Sequence, residues 1–120
     1  LSIIIKQHQP DSVAIEEVFF AKNARTALVL GQARGAALTA IAHHQLKPEE
    51  YSARAIKQSI TGSGKASKQQ VQQMVKMLLK LVATPANDAA DGLACAVCHC
   101  HHQGVLAKIN RATITAGKQI

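Results

Sequence analysis

A chain of 120 residues with 48% apolar content suffices for one domain or a large piece of one, and excludes a disordered polar tail. Lys and Arg number 14 against seven acids, so the net charge is +7 and the pI about 9.7, which favours a polyanionic partner, nucleic acid ahead of membrane. No apolar run nears the roughly 18–20 residues of a bilayer span, no signal peptide is visible, and three clustered cysteines make no disulfide framework, so a reduced, cytoplasmic protein is expected.

Trp is absent and 21 positions are Ala, which predicts closely packed helices. Residues 1–8 read as the last turns of a helix that Pro10-Asp11 ends. Because residue 1 is Leu and no strand precedes this helix, a fragment lacking its true N-terminus is expected. Val13-Ala14-Ile15 reads as a short buried strand with Glu16 at its end. A long helix follows over about 23–44, where Ala27, Gly31 and Gly35 recur every fourth residue. Each glycine costs such a helix about 1 kcal/mol relative to Ala, so the strip is expected to serve close packing on a sheet or a second subunit. Residues 47–50 read as a turn, and Tyr51–Ile60, alternating small or apolar with polar, as a second strand. A flexible Thr61–Lys65 loop leads to a helix over 67–82. Its buried face is expected to hold Val71, Met74, Val75, Leu78, Leu79 and Val82, with Lys68, Gln72, Lys76 and Lys80 on the opposite side. After the Thr84–Asn87 break, a last helix is predicted from Asp88 to 101 or 102, followed by a basic, flexible tail over 103–120. The order helix, strand, helix, strand, helix, helix is an α/β pattern. Two strands make no stable sheet alone, which again points to missing upstream strands.

The acids are few enough for their placement to matter. Glu16 ends a strand, while Asp88 and Asp91, three apart, share one face at the start of the last helix. Such carboxylates could converge on Mg²⁺, which is typically held by one or two carboxylates plus water and substrate oxygens. Two ions about 3.5–4 Å apart serve phosphodiester hydrolysis. The plainer alternative is a helix start favoured by the macrodipole and capped by Asn87 or Asp88. Lys57, Lys65, Lys68, Lys76 and Lys80 could form a track for a nucleic-acid backbone, or merely a solvated face. The Gly62-Ser63-Gly64 loop leads into a helix N-terminus whose free N–H groups suit a phosphate. Gly64-Lys65 is no Walker loop, because Ser59 stands where the first Gly belongs and Ala66 where Ser or Thr should hold Mg²⁺. Cys95-Ala96-Val97-Cys98-His99 matches a haem c attachment pattern and its surroundings suggest zinc. The unbroken helical period and the lack of a second ligand cluster favour packing. Phe19 or Phe20 belongs either to the core or to a base-stacking position near Glu16.

The run Pro10–Asn23, the segment Leu30-Gly31-Gln32-Ala33-Arg34-Gly35, the stretch Tyr51–Ile60 with Gly62-x-Gly64 and Lys68–Gln72, and Asp88-Ala89-Ala90-Asp91-Gly92-Leu93-Ala94 together resemble the RuvC family of Holliday-junction resolvases over residues 1–102. The resemblance implies an RNase H-like fold, with residues 1–102 as the C-terminal two-thirds of one nuclease domain. It also implies a homodimeric endonuclease that uses two Mg²⁺ ions, with Mn²⁺ as a substitute, to nick opposing strands of a four-way junction in recombination and repair. Position by position, Glu16, Asp88 and Asp91 match the family's catalytic, metal-holding carboxylates. Lys57 and Lys68 match basic residues that handle DNA, and Phe19 matches an aromatic near the junction bases. Lys65 and Lys76 join them as expected DNA contacts. The long helix resembles the family's dimer helix, and a branch-migration motor is an implied partner. The sequence departs from the family in one respect: nothing matches its first catalytic aspartate, on an N-terminal strand. These 120 residues alone are therefore expected to be inactive, and the rival reading is a non-catalytic junction-binding protein of the same fold.

Overall fold

The computed structural model describes the backbone of residues 1–17 and 23–118, and side chains as far as 104. Phe19 and Phe20 lie outside the described residues. The chain divides into two compact units, Leu1–Ser52 and Ala53–Ile120.

The first unit holds α1 (Ser2–His8), β1 (Val13–Glu16), α2 (Ala24–His43) and β2 (Pro48–Tyr51). The strands pair in parallel, with Val13 opposite Pro48 and Glu16 opposite Tyr51, and α2 is the crossover that parallel neighbours require. The second strand therefore lies over Pro48–Tyr51, where the sequence predicts a turn. Pro is tolerated there as the first residue of a strand, and Glu49 and Glu50 are exposed along it. Asn23 caps α2, its side chain accepting from the Thr26 N–H at 2.9 Å. The helix stops at Gln45, which takes a left-handed φ of 61°. There the Leu46 N–H reaches the Ile41 carbonyl at 3.1 Å and the Gln45 N–H the Ala42 carbonyl at 2.9 Å, a Schellman ending without glycine. A Cβ on Gly31 or Gly35 would meet nothing within 4 Å, so the small-residue strip makes no close approach to the described residues.

The second unit is helical: α3 (Ala53–Thr61), α4 (Lys68–Leu78) and α5 (Asn87–Lys118). The segment predicted as a second strand is thus α3. Its buried side chains, Ile56 and Ile60, are four residues apart and share one helical face. In α4 the capping box is complete. Ser67 accepts from the Gln70 N–H at 3.2 Å, and the Gln70 side chain accepts from the Ser67 N–H at 2.7 Å. That box uses two of the donors the sequence offers to a phosphate.

Val71 and Val75 form the buried strip of α4, Val75 being fully enclosed. Leu78, Leu79 and Val82, expected on the same face, are exposed. For Val82 the cause is an early ending: Lys80 turns left-handed at φ 54°, and the Leu81 N–H bonds the Lys76 carbonyl at 2.9 Å, so the helical period is lost after Leu79. Leu78 and Leu79 precede that turn, and the buried strip of α4 ends at Val75 without reaching them. Helix α5 buries Ala90, Ala94, Cys95, Cys98 and His99, and packs on α3 and α4. Its small side chains permit that approach. The helical backbone continues to Lys118, through the region where the sequence begins the tail.

A carboxylate pair on a basic helical unit

Asp88 lies in the first turn of α5 and Asp91 one turn further along. Both sit outside the buried Ala90–Ala94 strip: Asp88 is exposed and the Asp91 side chain 44% exposed. Helix α4 supplies what faces them. Lys68 Nζ stands 3.6 Å from Asp91 Oδ2. One turn on, Gln72 Nε2 donates to Asn87 Oδ1 at 2.5 Å. Lys68 and Gln72 are four apart on α4, and Asn87 and Asp91 four apart on α5, so the contacts are two rungs of an antiparallel helix pair. The Lys68–Gln72 stripe therefore flanks the α4–α5 seam rather than pointing away from the buried face.

The 37 residues between Glu50 and Asp88 carry six cations, Arg54, Lys57, Lys65, Lys68, Lys76 and Lys80, and no acid. Lys57 and Lys76 are half-buried, and Lys65, in the loop before α4, is exposed. Within this unit, among the described residues, no third His, Cys, Asp or Glu joins Asp88 and Asp91 closely enough to share a metal ion.

Glu16 belongs to the other unit, at the end of β1, where the sequence places it. The Glu17 N–H continues the strand pairing to the Tyr51 carbonyl at 2.8 Å. Arg34, from the middle of α2, reaches this end. Its guanidinium pairs with the Glu50 carboxylate and donates to the Glu16 carbonyl at 3.4 Å. Sequence reasoning quotes Arg34 in a motif but gives it no role. An Arg halfway along an otherwise small and apolar helix was the available signal.

The cysteines lie on the packed side of α5. Cys95 and Cys98 are buried free thiols and Cys100 is exposed. Cys98 Sγ points to the Ala55 carbonyl at 3.9 Å, and Ser59 Oγ lies 2.9 Å from His101 Nδ1, so both tie α5 to α3. Burial pushes the Cys98 thiol above its usual range, outweighing the hydrogen bond from Ser59.

Parallel strands joined by a helical crossover in one unit, and a helical unit bearing paired aspartates in the other, define an α/β protein of the RNase H-like class. The family model described as "Crossover junction endodeoxyribonuclease RuvC" matches residues 1–99, and the chain belongs to the RuvC family. It is 55% identical over 114 residues to the RuvC of Shewanella sp. (strain ANA-3), covering 94% of this chain and 66% of that protein. It is 58% identical over 101 residues to that of Cronobacter sakazakii, covering 84% of this chain and 58% of the relative. The solved structure of T. thermophilus RuvC in complex with Holliday junction substrate superposes with a TM-score of 0.80 at 32% identity, over 85% of this chain and 62% of that one. The chain thus spans less than two thirds of the length of the relatives it matches. Among the described residues, no helix is long and apolar enough to cross a membrane.

Proposed function

We propose that this protein acts as a divalent-metal-dependent endonuclease that resolves four-way DNA junctions by paired phosphodiester cuts in recombination and repair. The observation that carries the reading is the Asp88–Asp91 pair, set against Lys68 at the edge of a unit whose preceding 37 residues hold cations and no acid. The crossover junction endodeoxyribonucleases among its relatives support the same reading.

The residues fit a hard cation. Both aspartates offer oxygen donors that a hydrated ion can reach, and the Asp91 carboxylate already draws the Lys68 ammonium to 3.6 Å. Asp88, Asp91 and Glu16 are the proposed holders of Mg²⁺, two ions per site, with Mn²⁺ as a substitute. When bound, the metal would supply Lewis acidity toward the phosphoryl oxygens and make a bound water a better nucleophile. The chain itself supplies the charge and the grip. Lys57, Lys65, Lys68 and Lys76 neutralise backbone phosphates, and Phe19 stacks on an unpaired base. Residues 1–102 serve as nuclease domain and 103–120 as a basic tail. Two copies joined through α2 deliver the two cuts, with a branch-migration motor as partner in the cytoplasm.

The test is cleavage of a synthetic four-way junction by the full-length protein with Mg²⁺ or with chelator. Paired nicks that disappear in Asp88→Asn or Glu16→Gln, while junction binding persists, support the nuclease. Tight binding without any cut establishes the rival, a non-catalytic junction binder.

A further inference from the structure

Arg54 opens α3, and its side chain lies across Gly64 in the loop before α4. A Cβ built on Gly64 would stand 2.7 Å from Arg54 Cγ, closer than real side chains approach, and a tight 3.1 Å from its Nε. Glycine at 64 therefore leaves the space the arginine stem occupies. The loop is firmly built at this point. Thr61 Oγ1 donates to the Lys57 carbonyl at 2.8 Å and accepts from the Ser63 N–H at 3.1 Å, while Gln58 Nε2 donates to the Gly62 carbonyl at 3.0 Å. Arg54 is nevertheless exposed, and no carboxylate among the described residues holds its guanidinium, whereas Arg34 has Glu50 and Lys68 has Asp91. Lys57 follows three residues later on the same face of α3, and Lys65 directly follows Gly64.

We infer that Arg54, its stem laid over Gly64, is a phosphate-contacting residue of the nucleic-acid surface, in addition to the lysines. An arginine stem already packed in place loses little rotamer freedom on binding. Its planar fork can engage a phosphodiester through two donors where a lysine offers a point charge. The inference rests on the proposed DNA-binding function and adds to it a residue and the glycine that arranges it.

The test is binding of a fluorescently labelled four-way junction by this chain, in chelator, across a salt series. Arg54→Ala is expected to lower affinity and to make the slope of log K against log salt shallower by about one. Arg54→Lys keeps the slope and recovers only part of the affinity. Gly64→Ala weakens binding in the parent chain by displacing the arginine, and changes nothing further in an Arg54→Ala background. Circular dichroism verifies that each variant is folded. An unchanged slope in Arg54→Ala overturns the inference alone, as does a Gly64→Ala loss that is equal in both backgrounds. A parent chain that binds no DNA even at low salt overturns the functional reading and this inference with it.

Discussion

Lys68 Nζ stands 3.6 Å from Asp91 Oδ2, so the basic residue that opens α4 is held by one of the two carboxylates at the start of α5. Cation and carboxylate are 58% and 44% exposed, and water screens their attraction. The pair is weak enough to be replaced by a divalent ion, yet it competes with one. Lys68→Met is therefore expected to tighten Mn²⁺ binding by this chain roughly two- to fivefold, the equivalent of an exposed ion pair, while weakening junction binding. Titration followed by the Mn²⁺ electron-paramagnetic signal measures the first effect. Unchanged or weaker ion binding would show that Lys68 does not guard Asp91.

Arg34 bridges α2 to the end of β1 by gripping Glu50 and the Glu16 carbonyl. Removing it frees the strand end on which Glu16 is carried. In the full-length protein, Arg34→Ala is expected to lower the single-turnover cleavage rate by about ten- to a hundredfold, the scale of a misplaced catalytic group, with junction affinity unchanged. Arg34→Lys should not restore the rate, because one ammonium cannot span two acceptors as a guanidinium fork does. Equal loss of binding and rate would assign Arg34 to the DNA surface instead.

Much of this arrangement is legible in the sequence. Val13–Glu16 shows its strand by β-branched residues, and Asn23 and Ser67 announce helix starts through their capping chemistry. The Asp88–Asp91 spacing places two carboxylates on one face without any knowledge of the fold. Two features could not be read. Pro48–Tyr51 is a strand because β1 lies beside it, a long-range pairing that overrides a Pro-Glu-Glu sequence typical of turns. The segment 51–60 contains enough alanine and serine to satisfy a period of two, and the Ile56–Ile60 spacing that marks its helical face is a single pair. Helix ends were hidden for another reason. Left-handed stops are usually signalled by glycine, and here they fall on Gln45 and Lys80.

The face of α4 that an apolar residue occupies, not its hydrophobicity, decides its burial. Val75 is fully enclosed, whereas Met77, two positions on, is 69% exposed. Val75→Ala removes two buried carbon groups and is expected to cost about 2 kcal/mol, while Met77→Ala should change stability by less than about 0.5 kcal/mol. Urea unfolding followed by circular dichroism gives both values. Equal costs would mean that Met77 lies in a packed face of α4 rather than an exposed one.

Cys98 couples the α3–α5 seam to alkaline pH. Its thiol is buried against α3 and ionises above the usual 9.0, so the folded chain keeps a proton that the unfolded chain gives up first. Between the unfolded and folded values the unfolded state binds fewer protons, and stability must fall as pH rises. The Cys98 contribution is therefore complete below the unfolded thiol's range, at neutral pH, and is lost as pH climbs through 9 toward the folded value. Urea midpoints measured from pH 7 to 10 should decline more steeply in the parent chain than in Cys98→Ala, since every other group is common to both and cancels in the comparison. A thiol reagent at pH 8 should modify exposed Cys100 promptly, and Cys95 and Cys98 only after denaturant is added. Parallel pH profiles for parent and variant, together with prompt labelling of all three thiols, would mean that α5 does not hold Cys98 against α3 in solution.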